Sequence, residues 1–192
     1  MHPAFLYVPD RRLSLAELTA ARIDGHVVDI GDAYFPADLV EGRDVRAASV
    51  SALLRDGTAA CGPTAAWIHG ALDTPPTPHH LRRAVARRIR PPQNPRITYH
   101  DSAPPEEDVE LIGGVPVATA ERTVFDLALG LHRDPQLVRW LRALTAIEPE
   151  WTSSALRRMD LLRRAPGSRA GRDALERLDA AHRQDEVTRY TS

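Results

Sequence analysis

The chain has 192 residues, of which 43% are hydrophobic, and a formal net charge of −1. A chain of this size can bury one core, or one main core with a small appendage, and its single cysteine excludes an internal disulfide. No apolar run is long enough to span a bilayer. All 25 basic residues are arginines, which excludes sites that need a lysine, such as a P-loop, a Schiff-base lysine or a PD-(D/E)XK nuclease centre.

The first predicted element is a helix over residues 15–24. Ser14 and Glu17 form a capping-box pattern at its start, and Gly25 ends it. The residues before it lack the basic region and long apolar run of a signal peptide, so we expect a cytoplasmic protein without a membrane partner.

A β-hairpin is predicted next. Gly31 and Asp32 form a two-residue turn between two short apolar runs. A helix followed by a hairpin resembles the second half of a winged helix, and too few residues precede it to form the other helices. We therefore interpret residues 1–56 as a partial winged-helix-like region. The net charge of this part of the chain is negative, because residues 1–60 contain nine acids and six arginines, and a negative charge disfavours contact with phosphates.

The middle of the chain predicts short helices and strands in alternation. Asp44 is a candidate cap for a helix that runs to about Leu54. A strand at 58–61 follows, and Pro63 opens a short helix that contains Trp67, expected to be a core residue.

Two strands, at 80–89 and 96–100, are predicted on either side of a proline-rich connection at 91–95. No acid occurs from residue 74 to residue 100. We therefore expect a run of arginines on these strands or at their rim: Arg82, Arg83, Arg87, Arg88, Arg90 and Arg96.

The clearest local signals lie further along. Gly113 and Gly114 separate two apolar runs and indicate a hairpin, and Thr119 is a good cap for the helix that follows. The rest of the chain predicts three helices, opened near Asp134, Thr152 and Ser168.

Together these elements predict an α/β (α+β) fold, in which a small mixed sheet with packed helices follows the partial winged helix and precedes a helical C-terminal segment. We expect three segments, residues 1–56, 57–131 and 132–192.

Two motifs in the middle segment, GPTAAWIHG at 62–70 and GVPVATAERTVFDLA at 114–128, lie on either side of the arginine-rich region. This arrangement resembles the core of AbiEi-family antitoxins, especially actinobacterial ones, over roughly residues 58–130. The resemblance implies a winged-helix part joined to an antitoxin domain. It also implies a type IV toxin-antitoxin role, in which the protein counteracts a nucleotidyltransferase-like toxin and represses its own operon. Duplex DNA of that operon or the toxin is the partner expected.

The candidate binding residues are the arginines and a short helical motif. Guanidinium groups without a nearby acid suit phosphates or an acidic protein surface. The alternative is that the acid-rich segment 106–110 folds back and pairs with them. Arg122 and Asp126 similarly form either a recognition element or an i,i+4 pair on a helix. The full candidate set is Arg82, Arg83, Arg87, Arg88, Arg90, Arg96, Arg122, Thr123 and Asp126.

Catalytic and metal chemistry find little support in the sequence. His79 and His80 are adjacent, so a strand directs them to opposite faces, and no zinc-ligand spacing occurs. A nucleophile elbow and the paired carboxylates of a nucleotidyltransferase are also missing. We therefore expect a non-catalytic protein without cofactor or metal. A stand-alone DNA-binding regulator is the main alternative, and a degenerate nuclease or nucleotidyltransferase relative is a weaker one.

Overall fold

The computed structural model describes residues 6–10, 13–91, 93–162 and 165–190, with side chains up to residue 184. In this part of the chain the helices are Leu15–Ile23 (α1), Arg43–Val50 (α2), Gly62–Ile68 (α3), Ala120–Gly130 (α4), Leu137–Ile147 (α5), Glu150–Asp160 (α6) and Ser168–Tyr190 (α7). The strands are Val27–Ile30 (β1), Ala33–Pro36 (β2), Thr58–Ala60 (β3), His79–Arg83 (β4), Ile97–His100 (β5), Val109–Ile112 (β6) and Val115–Ala118 (β7).

The central sheet is mixed, with the strand order β5-β4-β3-β7-β6. β3 pairs antiparallel with β4 and parallel with β7, while β4 and β5 run parallel. Helices pack on this sheet, and the last three helices follow it in the chain. The predicted α/β class, a small mixed sheet with packed helices and a helical C-terminal segment, is confirmed.

The helix and hairpin near the start of the chain also form as predicted. The Ser14 hydroxyl accepts the Glu17 N–H at 3.3 Å, and a Glu17 carboxylate oxygen accepts the Ser14 N–H at 2.8 Å. β1 and β2 pair around the Gly31 turn, in a two-stranded sheet separate from the central one. The helix-plus-hairpin pattern is therefore real, and its interpretation as part of a winged helix stays a prediction.

Two predicted helix starts are wrong. Asp44 does not cap α2, because Gly42 holds the extended capping position and Asp44 lies inside the first turn, where its charge favours the helix dipole. α2 also ends at Val50, and a 3₁₀ turn covers residues 51–53. Thr152 does not open α6, which begins at Glu150 and buries the Thr152 side chain completely.

The predicted strand over residues 80–89 is also too long, since β4 ends at Arg83. Its partner β3 has only three residues, so β4 has no strand residues left to pair with beyond Arg83. The Arg83 guanidinium donates to the carbonyls of Val85 and Ala86, at 2.9 and 2.8 Å. These two backbone acceptors are therefore satisfied by a side chain and not by a neighbouring strand. Arg87, Arg88 and Arg90 therefore lie in a loop rather than on a strand.

α4 is the centre of the helical layer and contacts α3, α5, α6 and α7. Thr119 caps it as predicted, by accepting the Arg122 N–H. The buried side chains of Val124 and Leu127 belong to one continuous core that also includes Phe35 near the start of the chain and Leu175 on α7. This core contains residues from all three predicted segments, whose boundaries stay predictions. No helix in the described ranges is both long and apolar enough to cross a membrane.

We expect Gly171→Ala to destabilise the fold. A Cβ at Gly171 would lie 2.7 Å from the Ala128 carbonyl oxygen and 2.8 Å from the Met159 Cε, so α7 could not approach α4 as closely. Overpacking of this kind costs about 1–3 kcal/mol and should exceed the roughly 1 kcal/mol that alanine gains in helix propensity. Urea unfolding measures the difference. Gly42→Ala, which meets no atom within 4 Å and has no positive φ, is the control and should change stability by less than about 1 kcal/mol. A Gly171→Ala protein as stable as the parent would contradict the close approach.

Candidate functional site

Arg82 lies on β4 and is turned into the protein. Its side chain ion-pairs with Asp126 of α4 and also donates to the Ser102 carbonyl oxygen at 3.2 Å and to the Ser102 hydroxyl at 3.0 Å. Only 4% of Arg82 is exposed. Its guanidinium therefore joins the sheet to α4 and has little surface left for a partner.

Arg83, the next residue, is satisfied in the same way on the other side of the strand. Besides the carbonyls of Val85 and Ala86, it donates to the Asp101 carboxylate and to the Asp101 carbonyl oxygen, both at 2.9 Å. These contacts tie the ends of β4 and β5 together, so Arg83 acts within the fold.

Arg122 and Asp126 form the i,i+4 pair that was one of the two predicted alternatives, and Arg122 Nε lies 3.0 Å from Asp126 Oδ1. It belongs to a larger network, because Arg122 also donates to Asp108 at 2.8 Å and Asp108 accepts two further hydrogen bonds from Arg158. Positive and negative groups alternate through this network from Arg82 on β4 to Arg158 on α6. We call these five residues, Arg82, Asp126, Arg122, Asp108 and Arg158, the charge network.

Asp108 is the most buried acid of the charge network, with 1% of its surface exposed. Burial by itself raises the pKa of this carboxyl, but the hydrogen bonds from Arg158 and Arg122 outweigh it and hold the pKa below its ordinary value. Asp108 is therefore ionised at neutral pH. Thr123, another candidate, is fully buried, and its hydroxyl donates to the Thr119 carbonyl oxygen at 2.8 Å.

The acid-rich segment does not pair with the arginines of β4. Asp108 binds Arg122 and Arg158, and Glu110 lies 3.4 Å from Arg43 of α2. Arg82 and Arg83 take Asp126 and Asp101 instead. Both arginines therefore pair with acids of the protein itself, as the alternative of internal pairing predicted. The acids involved lie outside the segment 106–110.

The loop between β4 and β5 is different. Arg87, Arg88 and Arg90 are exposed, and none makes a hydrogen bond or ion pair with another described residue. The structure thus separates two arginines that are paired within the fold, Arg82 and Arg83, from three exposed ones that have no partner among the described residues. We call these three residues the loop arginines.

Arg96, at the end of the same loop, ion-pairs with Asp32 in the β1–β2 turn. Both side chains are about half exposed. This contact places the end of the β4–β5 loop beside the tip of the hairpin, and it neutralises Arg96 at that point.

A cleft of about 430 Å³ lies on the β5 side of the sheet, between the sheet, α4 and the start of α5. One wall is apolar and includes Leu127, Leu129 and Leu137. The polar lining residues are Cys61, His80, Arg82, His100, Ser102, Asp126, His132, Arg133 and Asp134.

His80 and His100 form a stacked pair in this cleft. Their ring centroids are 5.4 Å apart, the ring planes differ by 25°, and His80 Nδ1 lies 3.2 Å from His100 Nε2. Burial, together with the neighbouring His100, lowers the pKa of His80 to about 4, and burial with the nearby Arg82 lowers the pKa of His100. Both imidazoles are therefore neutral at pH 7, so one donates and the other accepts the hydrogen bond between them.

His79 faces away from this pair. It lies near Thr64 and against Trp67, a fully buried core residue as predicted. In the described residues, no group of three His, Cys, Asp or Glu side chains is arranged to hold a metal ion.

Sequence reasoning did not identify the histidine pair or the partners of the charge network. The sequence places His80 only beside its neighbour His79, because the contact with His100 requires β4 and β5 to pair in parallel. Arg158 is 50 residues from Asp108, and no local pattern signals that contact. The one available signal is that the acids just before the second motif have no arginine close to them in the sequence.

Comparison with known proteins provides a family. Residues 58–179 match the model of the AbiEi antitoxin C-terminal domain. No curated protein sequence matches the chain. Among solved structures, it is similar to the crystal structure of the RV2827C protein from Mycobacterium tuberculosis, with 16% identity and a TM-score of 0.35 over 86% of this chain and 68% of that one. This structural similarity is too low to support an argument about function.

Proposed function

Because this chain belongs to the AbiEi antitoxin family, we propose that it is a non-catalytic antitoxin of a type IV toxin-antitoxin system that binds the duplex DNA of its own operon through the β4–β5 loop. The toxin that it counteracts would be of the nucleotidyltransferase type, and both would act in the cytoplasm. The observation that carries the DNA-binding part is the exposure of the loop arginines, which have no partner among the described residues.

Exposed and unpaired arginines are the groups that DNA phosphates attract. Each guanidinium that neutralises a phosphate releases a condensed counterion, so three together provide substantial affinity at moderate salt. The absence of any acid from residue 74 to residue 100 keeps the local potential positive although the whole chain is nearly neutral. Phosphate contacts of this type position a protein on DNA and do not read its sequence.

The other candidates have supporting roles in this proposal. Arg82, Arg83, Arg122, Thr123 and Asp126 hold the strands and α4 in place, and so set where the loop emerges. Arg96 attaches the end of the loop to the hairpin turn through Asp32. In this proposal the loop arginines and the tip of the hairpin contact the DNA together, with the hairpin as the partial wing.

The proposal is tested by the affinity of the full chain for its upstream DNA and for a random duplex across a salt series. The triple variant Arg87→Ala/Arg88→Ala/Arg90→Ala should bind about 10- to 100-fold more weakly at roughly 0.1 M salt. The slope of log affinity against log salt should become shallower by about 0.9 for each phosphate that the variant no longer neutralises. The matched control is Arg142→Ala/Arg157→Ala/Arg177→Ala, which removes three other exposed arginines that make no ion pair in the described ranges.

A second variant should change the affinity for DNA in the opposite direction. Asp32→Ala removes the acid that neutralises Arg96, so DNA binding should strengthen a few-fold at low salt and less at high salt. If neither the parent nor Asp32→Ala binds either duplex, the DNA-binding proposal fails and a protein partner takes its place. An equal loss of affinity in the two triple variants would show that net charge, and not the loop, is responsible.

A further inference from the structure

The cleft beside β5 has the properties of a small-molecule site, and the DNA-binding proposal does not use it. Its volume of about 430 Å³ falls in the range of pockets that hold small ligands, and it combines an apolar wall with a few polar groups. We propose that this cleft binds a nucleoside monophosphate, with the base against the His80–His100 pair and the phosphate at Arg133.

The histidine pair provides a surface for a flat heteroaromatic ring. Aromatic side chains bind bases by stacking, which does not depend on base identity, and the leucine side of the cleft excludes water from the other parts of the ligand. Each imidazole uses one nitrogen in the contact between the two rings, and the other nitrogen has no partner in the described part of the chain. Because both rings are neutral, one of these free nitrogens is a donor and the other an acceptor, which suits the sugar hydroxyls of a ligand whose base stacks on the ring faces.

The charges of the cleft place the phosphate at one position. Arg82 and Asp126 neutralise each other within the charge network. Arg133 is exposed, and its only side-chain hydrogen bond in the described ranges runs from Nε to His132 Nε2 at 3.1 Å, so the outer guanidinium nitrogens are free for a phosphate. Asp134 also lines the cleft, and one of its oxygens accepts the Gln136 N–H at 2.9 Å. Its second oxygen is an acceptor for an amino group on a base, and its charge disfavours a phosphate on that side.

The test is calorimetric titration of the full chain with AMP, GMP, CMP and UMP at neutral pH. The partial ligands are the corresponding nucleosides, ribose 5-phosphate and inorganic phosphate. At least one nucleotide should bind with a Kd below about 1 mM and more tightly than its nucleoside or ribose 5-phosphate. The side-chain NMR signals of His80 and His100 should move on its addition.

Two cleft variants separate the parts of the ligand. His100→Ala removes half of the stacked surface and should weaken nucleotide binding about 10-fold, and His100→Phe should restore most of this loss by providing a ring without nitrogens. Arg133→Ala should weaken nucleotide binding about 10-fold and leave nucleoside binding unchanged, because it removes the phosphate contact only. His26→Ala and Arg142→Ala replace exposed residues outside the cleft and are the matched controls.

Three results would overturn the proposal. These are the absence of binding by all four nucleotides, inorganic phosphate binding as tightly as any nucleotide, or nucleotide binding that His100→Ala and Arg133→Ala leave unchanged. Thermal unfolding of each variant shows that it is folded. The titrations contain no DNA and use none of the loop arginines, so the nucleotide proposal and the DNA-binding proposal can fail separately.

Discussion

Asp108→Ala is expected to lower the free energy of unfolding by about 3–5 kcal/mol. The carboxylate is 1% exposed and accepts hydrogen bonds from both Arg122 and Arg158. Without it, Arg122 retains Asp126, but Arg158 loses its only ion pair in the described ranges. The cost comes from both arginines, because Arg122, whose side chain is 14% exposed, keeps one carboxylate in place of two, and Arg158, whose side chain is 32% exposed, keeps none in the described part of the chain. Urea unfolding at neutral pH measures the change.

The control for Asp108→Ala is Asp160→Ala. Asp160 also pairs with an arginine, Arg172, but its own side chain is 63% exposed and Arg172 keeps Glu176, at 3.9 Å, after the substitution. Its removal should cost less than about 1 kcal/mol. Similar effects of the two substitutions, or a loss of under about 1 kcal/mol for Asp108→Ala, would show that the charge network does not hold α6 and α4 to the sheet.

Acidification from pH 7 to about pH 4 should destabilise the protein through four histidines whose pKa values are lowered in the folded state, His69, His79, His80 and His100. In the unfolded chain, His80 takes up a proton below about pH 6.5, whereas in the folded protein burial and His100 lower its pKa to about 4. The unfolded state therefore binds more protons in this window, and stability falls as the pH falls. His80 alone accounts for up to about 3 kcal/mol, and the pKa values of His69, His79 and His100 are lowered mainly by burial, which acts in the same direction.

The measurement is the free energy of unfolding in urea at several pH values between 7 and 4. His80→Asn keeps an amide near the position of Nδ1 but does not titrate, so it should remove most of the contribution of His80 to this decline. His26→Asn, an exposed control, should leave the decline unchanged. Asp108 acts in a lower window, because a carboxyl with a lowered pKa contributes stability that is lost only as the pH falls below its unfolded value. Stability that does not change from pH 7 to pH 5 would contradict the assignment of neutral, buried histidines.

The elements that could be predicted from the sequence are those whose deciding partners lie a few residues away. Ser14 and Glu17 cap α1 within one turn, and Thr119 caps α4 by accepting the Arg122 N–H. The Gly31 and Gly113 turns adopt positive φ, which glycine reaches without strain, and so each defines a hairpin. The motifs at 62–70 and 114–128 similarly indicated the antitoxin family, to which the chain belongs.

Only the tertiary structure decides which arginines are paired within the fold and which are exposed. Arg82 and Arg87 are the same residue type, five positions apart in one acid-free stretch. Arg82 is buried against Asp126, whereas Arg87 is exposed and has no partner in the described part of the chain. The difference arises because β3 is too short to extend β4 beyond Arg83, and because α4 presents Asp126 to the sheet.

The cleft and the charge network have the same origin. His80 meets His100 only because β4 and β5 are parallel, and Asp108 meets Arg158 only because α6 packs on α4. Local patterns determine the conformation of the backbone over one or two turns, since the energies that set it act between near neighbours. Which distant charges and rings come together depends on strand register and helix packing, which the whole core determines at once.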